Sequence, residues 1–359
     1  MTIQRAMSNS LRRFIPQFRK ARILVIGDLM LDEFVWGRVS RISPEAPVPV
    51  VWVQSESVMP GGSANVANNI RSLGAHVTPI GVIGHDRWGE ALLSTLASCG
   101  IDVSGIVKVR RPTTVKTRVI AHHQQVVRVD REHHEPLSAD TISQLIHAVE
   151  ERIKHVDALI IEDYGKGVIT RQLLEVVVPL ARQHRKVITV DPKEEHFDLY
   201  RCVTALTPNR VEAGAAVGRE LETDGDVAWA GEEILRRLEC DGLLITLGED
   251  GMSLFEQGGR RTRIPTVAQE VFDVAGAGDT VIATFTTALA SGVPMEQAAR
   301  IANYAAGIVV GKLGVAVVTP QELRETLSQA PPLPRAANAS QPPTALQHAG
   351  RRPLGGRRS

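Results

Sequence analysis

The run Asp273-Val-Ala-Gly-Ala-Gly-Asp-Thr280, followed by the apolar helical stretch Val281 to Ala290, has the residue types for phosphate chemistry. Gly276 and Gly278 permit a tight turn whose backbone N–H groups converge. The helix behind them adds the positive end of its dipole. Such a turn can hold a phosphate, or the charge that develops on a phosphoryl group in transfer. Asp279 stands beside it in the first helical turn. A carboxylate there either caps the helix or accepts the proton of an attacking hydroxyl, and spacing alone leaves both open.

Three further clusters are candidates. Pro60-Gly-Gly-Ser-Ala-Asn65 also opens a helical stretch. It is either a plain strand-to-helix turn or a place where another molecule approaches the backbone, with Asn65 offering both donor and acceptor. Thr207-Pro-Asn-Arg-Val-Glu212 sets Asn209 and Glu212 three residues apart. That spacing fits a capping box, and equally an Asn and a Glu facing a hydrated Mg²⁺, which keeps several waters and takes few protein ligands. Thr246-Leu-Gly-Glu-Asp-Gly251 reads as a strand end and turn. It is a plain hairpin or a surface on which a nucleotide can lie.

The elements that must position these clusters follow from hydrophobic periodicity. Buried-strand runs occur at Arg22–Gly27, Val77–Ile83, Ala158–Glu162, Val187–Asp191, Val203–Leu206 and Leu243–Leu247. Helical spacing appears at Ala64–Leu73, Ala91–Cys99, Ala139–Lys154, Arg171–Arg182 and Val227–Leu238. Strands alternating with helices predict an α/β fold, with a mostly parallel sheet covered on both faces. Residues 34–54 and 106–131 break the rhythm with short alternating patterns, which predict a small separate sheet, a lid. Residues 1–20 read as a flexible polar leader, 21–328 as the folded domain, and 329–359 as a disordered tail rich in Pro, Ala, Gly and Arg.

The chain has 359 residues, 41 Lys and Arg against 40 Asp and Glu, and a formal net charge of +1. That balance gives no global attraction to nucleic acid or to an anionic membrane, so an anionic ligand must be met by local groups. Cys99, Cys202 and Cys240 are scattered and form no CxxC pair, which argues against a disulfide scaffold or a zinc site. No apolar run approaches the ~20 residues that span a bilayer, and the first residues carry no secretory pattern. These features point to the cytoplasm.

In this order, the four clusters resemble the ribokinase-like carbohydrate kinases, also called the phosphofructokinase-B family, over about residues 20 to 328. The resemblance implies a three-layer α/β/α fold with a small β-sheet lid, ATP and Mg²⁺ as cofactors with K⁺ as an optional third, and a homodimer formed through the lid. It implies Asp279 as the base, with Gly276, Ala277 and Gly278 as the anion hole. Asn209 and Glu212 would organise Mg·ATP through water, with Arg210 and Val211 between them. Gly248, Gly251 and Asn303 would lie near the nucleotide. The family's usual Thr is Val274 here, which removes one hydroxyl and leaves the glycines and Asp279 in place.

Further segments resemble one branch of that family, the bacterial kinases of D-glycero-D-manno-heptose 7-phosphate. They are Gly27–Asp32, Trp36–Val50, Lys116-Thr-Arg118, Gln124-Gln125, Arg128-Val-Asp130, Glu162–Gly167 and Asp191-Pro-Lys193. The implied reaction phosphorylates the anomeric hydroxyl to give the 1,7-bisphosphate, for ADP-heptose and lipopolysaccharide core synthesis. Lys193 would add positive charge near the ATP phosphates, or is an exposed loop lysine. Arg41, Lys116 and Arg118 are candidates for the substrate phosphate, the arginines favoured by their bidentate fork, or are solvated charges. Asp28, Gly61, Gly62, Asn65, Gln124 and Asp163 would meet the sugar. Many such kinases are fused to a nucleotidyltransferase marked by His-x-Gly-His. His348-Ala-Gly-Arg351 lacks the second His, so a stand-alone kinase is expected. The competing readings are a kinase of the same fold acting on ribose, fructose or a fructose phosphate, and a non-catalytic sugar-binding regulator. A Rossmann dehydrogenase is set aside because Gly27-Asp28 is not G-x-G-x-x-G.

Overall fold

Strands that are apolar on both sides require cover on both faces, and the computed structural model shows that cover. It describes residues 10–122, 124–133, 135–268, 271–312 and 314–329. The chain runs β1 (Arg22–Gly27), β2 (Leu29–Ile42), β3 (Pro49–Gly62), α1 (Ser63–Ser72), β4 (His76–Gly84), α2 (Arg87–Ser98), β5 (Ile106–Val109), β6 (Thr114–Ala121) and β7 (Gln124–Arg131). It continues α3 (Ala139–Arg152), β8 (Ala158–Glu162), α4 (Arg171–Gln183), β9 (Val187–Asp191), β10 (Ala205–Leu206), α5 (Arg210–Ala216) and α6 (Asp224–Leu238). It ends β11 (Gly242–Thr246), β12 (Met252–Glu256), β13 (Arg260–Ile264), α7 (Ala277–Ala290), α8 (Met295–Val309) and α9 (Pro320–Gln329).

The main sheet has the order β13-β12-β11-β10-β9-β8-β1-β4-β5. It is parallel from β5 to β11, and β12 and β13 are antiparallel. Alternate residues of the central strands feed opposite layers. Leu24, Ile26, Leu159 and Ile161 pack with Leu145, Leu173 and Ile234 of α3, α4 and α6. Ile23, Val25, Ala158 and Ile160 pack with Ile70, Leu96 and Ile282 of α1, α2 and α7. Each fully buried Leu or Ile contributes about 1.5–3 kcal/mol of transfer free energy, so both helical layers are held by the same strands. The arrangement is the expected three-layer α/β/α fold. No helix among the described residues is long and apolar enough to cross a membrane.

The second sheet has the order β3-β2-β6-β7, with β2 parallel to β6 and antiparallel to β3. It is inserted into the first strand–helix unit: β2 begins just after β1, and β3 runs directly into α1. That insertion sets Asp28 and Gly62 at the root of the lid, beside the ends of the central strands. The lid's second part starts later than the sequence suggests. Residues 106–109 pair with β4 and extend the main sheet, because their partly buried Val and Ile cover its edge.

The expectation of a flexible leader through residue 20 is also corrected. Leu11, Ile15 and Phe18 are buried in the main core, and Ile15–Lys20 forms a 3₁₀ turn. Their spacing puts three apolar side chains on one face and leaves the basic residues outside. α9 extends to Gln329, and the expected tail beyond it lies outside the described residues, as do residues 1–9.

Candidate active site

In a parallel sheet the C-terminal strand ends share one edge, and ligands bind there. β1, β8 and β9 end side by side, with Gly27 opposite Glu162 and Glu162 opposite Asp191. The N-terminus of α7 meets the same edge. Gly276 caps it with φ +76°, a left-handed conformation that disfavours any side chain. A Cβ at Gly278 would meet nothing within 4 Å, so this residue faces open space. Asp273 steadies the turn, accepting from the backbone N–H groups of Ala275 (2.9 Å) and Gly314 (3.2 Å).

Asp279 is 6% exposed. One of its oxygens accepts from Asn65 Nδ2 at 2.5 Å, the other from the Tyr164 hydroxyl at 2.8 Å. Asn69 backs this arrangement: its Nδ2 donates to the Asn65 side chain at 3.3 Å, and its Oδ1 accepts from Thr280 at 2.9 Å. Burial pushes the Asp279 pKa up, and the bonds from Asn65 and Tyr164 pull it back part of the way. The geometry suits a carboxylate held still that can take up a proton. Glu162, Asp191 and Asp279 bring one oxygen each to within 4.8 Å of one another. Burial holds the Glu162 pKa well above the usual carboxylate range. Burial, and then the neighbouring Glu212 and Asp279, raise Asp191 to about 8. Three buried carboxyls this close cannot all be ionised.

Two clefts flank the turn. A polar one of about 430 Å³ is lined by Met30, Asp32, Gly62, Lys116, Arg118, Asp163, Tyr164, Asp191, Lys193, Asn209, Glu212, Gly276, Gly278 and Asp279. A more apolar one of about 530 Å³ is lined by Thr246, Gly248, Gly251, Val271, Val274, Val281, Asn303, Ala306 and Val310. Gly278 belongs to both. The turn through Gly251 is both of the things expected of it: a β-hairpin between β11 and β12, and a wall of the apolar cleft.

The structure thus brings together Asp279, Gly276, Gly278, Asn209, Glu212, Lys193, Gly62, Lys116, Arg118 and Asp163, with Gly248, Gly251 and Asn303 next door. Other expected residues stand elsewhere. Arg41 and Gln124 are exposed on the lid and line neither cleft. Arg41 lies in the exposed end of β2, and β7 is exposed along its whole length. Asp28 accepts from the backbone N–H groups of Tyr164 (3.0 Å), Lys166 (2.9 Å) and Val168 (3.1 Å). It therefore shapes the loop after β8 and does not face the cleft. Asn65 holds Asp279, and Gly61 packs against Asp32 at the lid root. Ala277 lines the apolar cleft and its N–H bonds the Val274 carbonyl at 3.2 Å. The Thr280 N–H bonds the Gly276 carbonyl at 3.0 Å, which leaves the Gly278 and Asp279 amides between them as the first-turn donors without a backbone carbonyl. Arg210 pairs with Asp250 and Val211 is 76% exposed; neither lines a cleft. Asn209 and Glu212 form the full capping box, and Glu212 also faces the polar cleft.

Tyr164, Asp191, Asp32 and Glu162 were given no role by their sequence. A signal for three of them exists: each of β8 and β9 ends in an acidic residue, and Tyr164 lies two residues beyond β8. Asp32 pairs with Arg118, which also lies over the Phe34 ring.

A family model described as pfkB family carbohydrate kinase matches residues 20–322. The chain belongs to the pfkB family of carbohydrate kinases. It is 48% identical over 308 residues to the bifunctional protein HldE of Trichlorobacter lovleyi, covering 86% of this chain and 63% of that protein. The bifunctional protein HldE of Helicobacter pylori strain J99 is 43% identical over 312 residues, 87% of this chain and 67% of that one. The chain thus spans a little under two thirds of the length of the first of these relatives. Phosphofructokinase-2 from Escherichia coli in complex with potassium has the same fold, with a TM-score of 0.73 and 22% identity over 86% of this chain and 99% of that one. Ribokinase from Arabidopsis thaliana complexed with ribose and ATP aligns with a TM-score of 0.68 and 20% identity, over 86% and 98% of the two chains. This pfkB kinase is therefore a phosphotransferase acting on a sugar hydroxyl.

Proposed function

We propose that this kinase moves the γ-phosphoryl group of ATP to the anomeric hydroxyl of D-glycero-D-manno-heptose 7-phosphate, giving the 1,7-bisphosphate on the route to ADP-heptose and lipopolysaccharide core. The observation that carries the reading is Asp279 at the junction of a polar and an apolar cleft, on a turn of open amides. Likeness to the HldE proteins across the kinase region, and the segments that resemble the heptose branch, support this choice of substrate.

Phosphoryl transfer needs positioning and charge stabilisation more than covalent help. In this reading the nucleotide base lies in the apolar cleft, and its phosphates reach the turn at Gly276 and Gly278. The sugar occupies the polar cleft with its anomeric oxygen beside Asp279. That oxygen forms its bond to the γ-phosphorus as the bond to the ADP oxygen breaks, and its proton passes to Asp279. Asn65 and Tyr164 keep the carboxylate aimed. Lys116 and Arg118 meet the substrate's own phosphate, and Lys193 faces the phosphates of ATP.

Glu212, together with Asp191 once the cation displaces its proton, would supply hard oxygen donors beside Lys193, a set that suits Mg²⁺ held through water. Bound there, Mg²⁺ neutralises charge on the ATP phosphates. K⁺ enters as an accessory cation, as in the potassium complex of the E. coli phosphofructokinase-2. Two chains pair through the lid, whose strands β2 and β3 expose Trp36 and Trp52, and the enzyme works in the cytoplasm.

A panel of sugars scored by ADP release tests the substrate. Heptose 7-phosphate should give the highest kcat/KM by at least tenfold. Faster turnover with ribose or fructose 6-phosphate would remove the heptose assignment and leave the kinase.

A further inference from the structure

Lys193 has a long flexible stem, and a lysine in that state is a poor phosphate ligand because ordering it costs rotamer entropy. Here the residue is fenced on several sides. Its backbone N–H donates to the Tyr200 hydroxyl at 3.3 Å. Its carbonyl accepts from the backbone N–H of His196 at 3.0 Å. Its stem lies over Gly165, where an added Cβ would sit 3.5 Å from Lys193 Cγ.

These contacts converge on one carboxylate. The Asp163 side chain is fully buried. Its Oδ1 accepts from the Gly165 N–H at 2.8 Å, and its Oδ2 from the Tyr200 hydroxyl at 2.5 Å and from His196 Nδ1 at 2.6 Å. Asp163 therefore ties the loop after β8 to the 3₁₀ turn Glu194–Leu199, the segment that carries Lys193. The His196 side chain is the one outer strut of this clamp, with 27% of its surface exposed.

We infer that His196, acting with Tyr200 through Asp163, is a positioning residue that presents Lys193 to the phosphates of the donor nucleotide. Asp163 thereby serves the donor side of the cleft as the centre of the clamp, in place of the sugar contact expected of it. The inference rests on the kinase reading above and deepens it: the clamp sets affinity for the phosphoryl donor without touching it.

The test measures the Kd for Mg·AMP-PNP by titration calorimetry, which does not depend on the identity of the sugar. His196→Ala should weaken binding about tenfold, the effect of losing one well-made hydrogen bond to a charged group. His196→Asn, whose amide nitrogen replaces Nδ1, should stay within twofold of wild type. Lys193→Met should weaken binding at least as much as His196→Ala. The double variant should be no weaker than Lys193→Met alone, because the two act as one unit. Should His196→Ala fail to fold, His196→Gln keeps the size, moves the donor to the Nε2 position, and carries the same expected loss. An unchanged Kd in His196→Ala overturns the clamp. So does a His196 effect that persists in full on the Lys193→Met background, or a Lys193→Met variant that binds as wild type. In each of these cases ADP release by the wild type with a sugar leaves the kinase reading standing. Wild-type protein that neither binds the analogue nor releases ADP sinks both.

Discussion

The two clefts that meet at Gly278 are built on opposite terms. The polar cleft is over-determined: Asp279 is fixed by Asn65 and Tyr164, Asp163 by three donors, and Arg118 by Asp32 and Phe34. The apolar cleft is lined by valines and glycines, several of them exposed, and its Asn303 is engaged by the Pro265 carbonyl at 2.8 Å. In the proposed function the first would select by fixed polar partners, which a wrong sugar would leave unpaired. The second selects by shape and space. One side should therefore be sensitive to changes of charge at constant volume, the other to changes of volume at constant charge.

The sharpest break of that contrast is Asp279→Asn, which keeps the shape and removes the proton acceptor. Turnover should fall by about 10³–10⁴-fold, while calorimetry should find Mg·AMP-PNP affinity within threefold of wild type. Turnover that survives the change would take Asp279 out of its role. Next in size is Gly278→Leu, which adds volume where both clefts open. Donor affinity should drop roughly 100-fold, the scale of a crowded site, with little change in thermal stability because no neighbouring atom stands in the way. Normal donor binding by this variant would place the nucleotide elsewhere.

The smallest effect concerns the carboxyl cluster on the polar side. Asp191 is raised to about 8 in the folded chain from 3.8, so between those values the native state holds a proton that the unfolded state has released. Stability from this group is complete at the low end of the window and is lost as pH rises through 8. The melting temperature of wild type should fall between pH 5 and pH 8, and Asp191→Asn should flatten that fall by a few degrees. Parallel pH profiles for the two proteins would show that Asp191 does not carry the buried proton.

Much of the frame was legible because it rests on local patterns. Continuous apolar runs gave β1, β4, β8, β9 and β11 within a residue or so at each end, and helical spacing gave α1, α3, α4 and α6. Beyond the hairpin turn at Gly251, the extents of β12 and β13 went unread because their residues, Met252–Glu256 and Arg260–Ile264, mix polar and apolar types at the sheet's antiparallel end. α8 and α9 were likewise passed over. In the site, the glycine turn and Asp279 stood out because chemistry there is concentrated in consecutive residues. Arg41 and Gln124 fall where the lid is exposed on both faces, and how far each lid strand is covered by the rest of the fold is not encoded in a short alternating pattern.

The sequence by itself determined the alternation of strands and helices, the glycine turn and the carboxylate beside it, since each is encoded within a few neighbouring residues. Tertiary structure alone decided which acids converge. Glu162, Asp191 and Asp279 are far apart along the chain, and only the parallel pairing of β1, β8 and β9 and the docking of α7 bring their oxygens together. It also decided that Asp28 and Asp163 build the walls of the site. A buried carboxylate answers to whichever donors the fold places around it, and those donors come from segments that its own sequence neighbourhood does not contain.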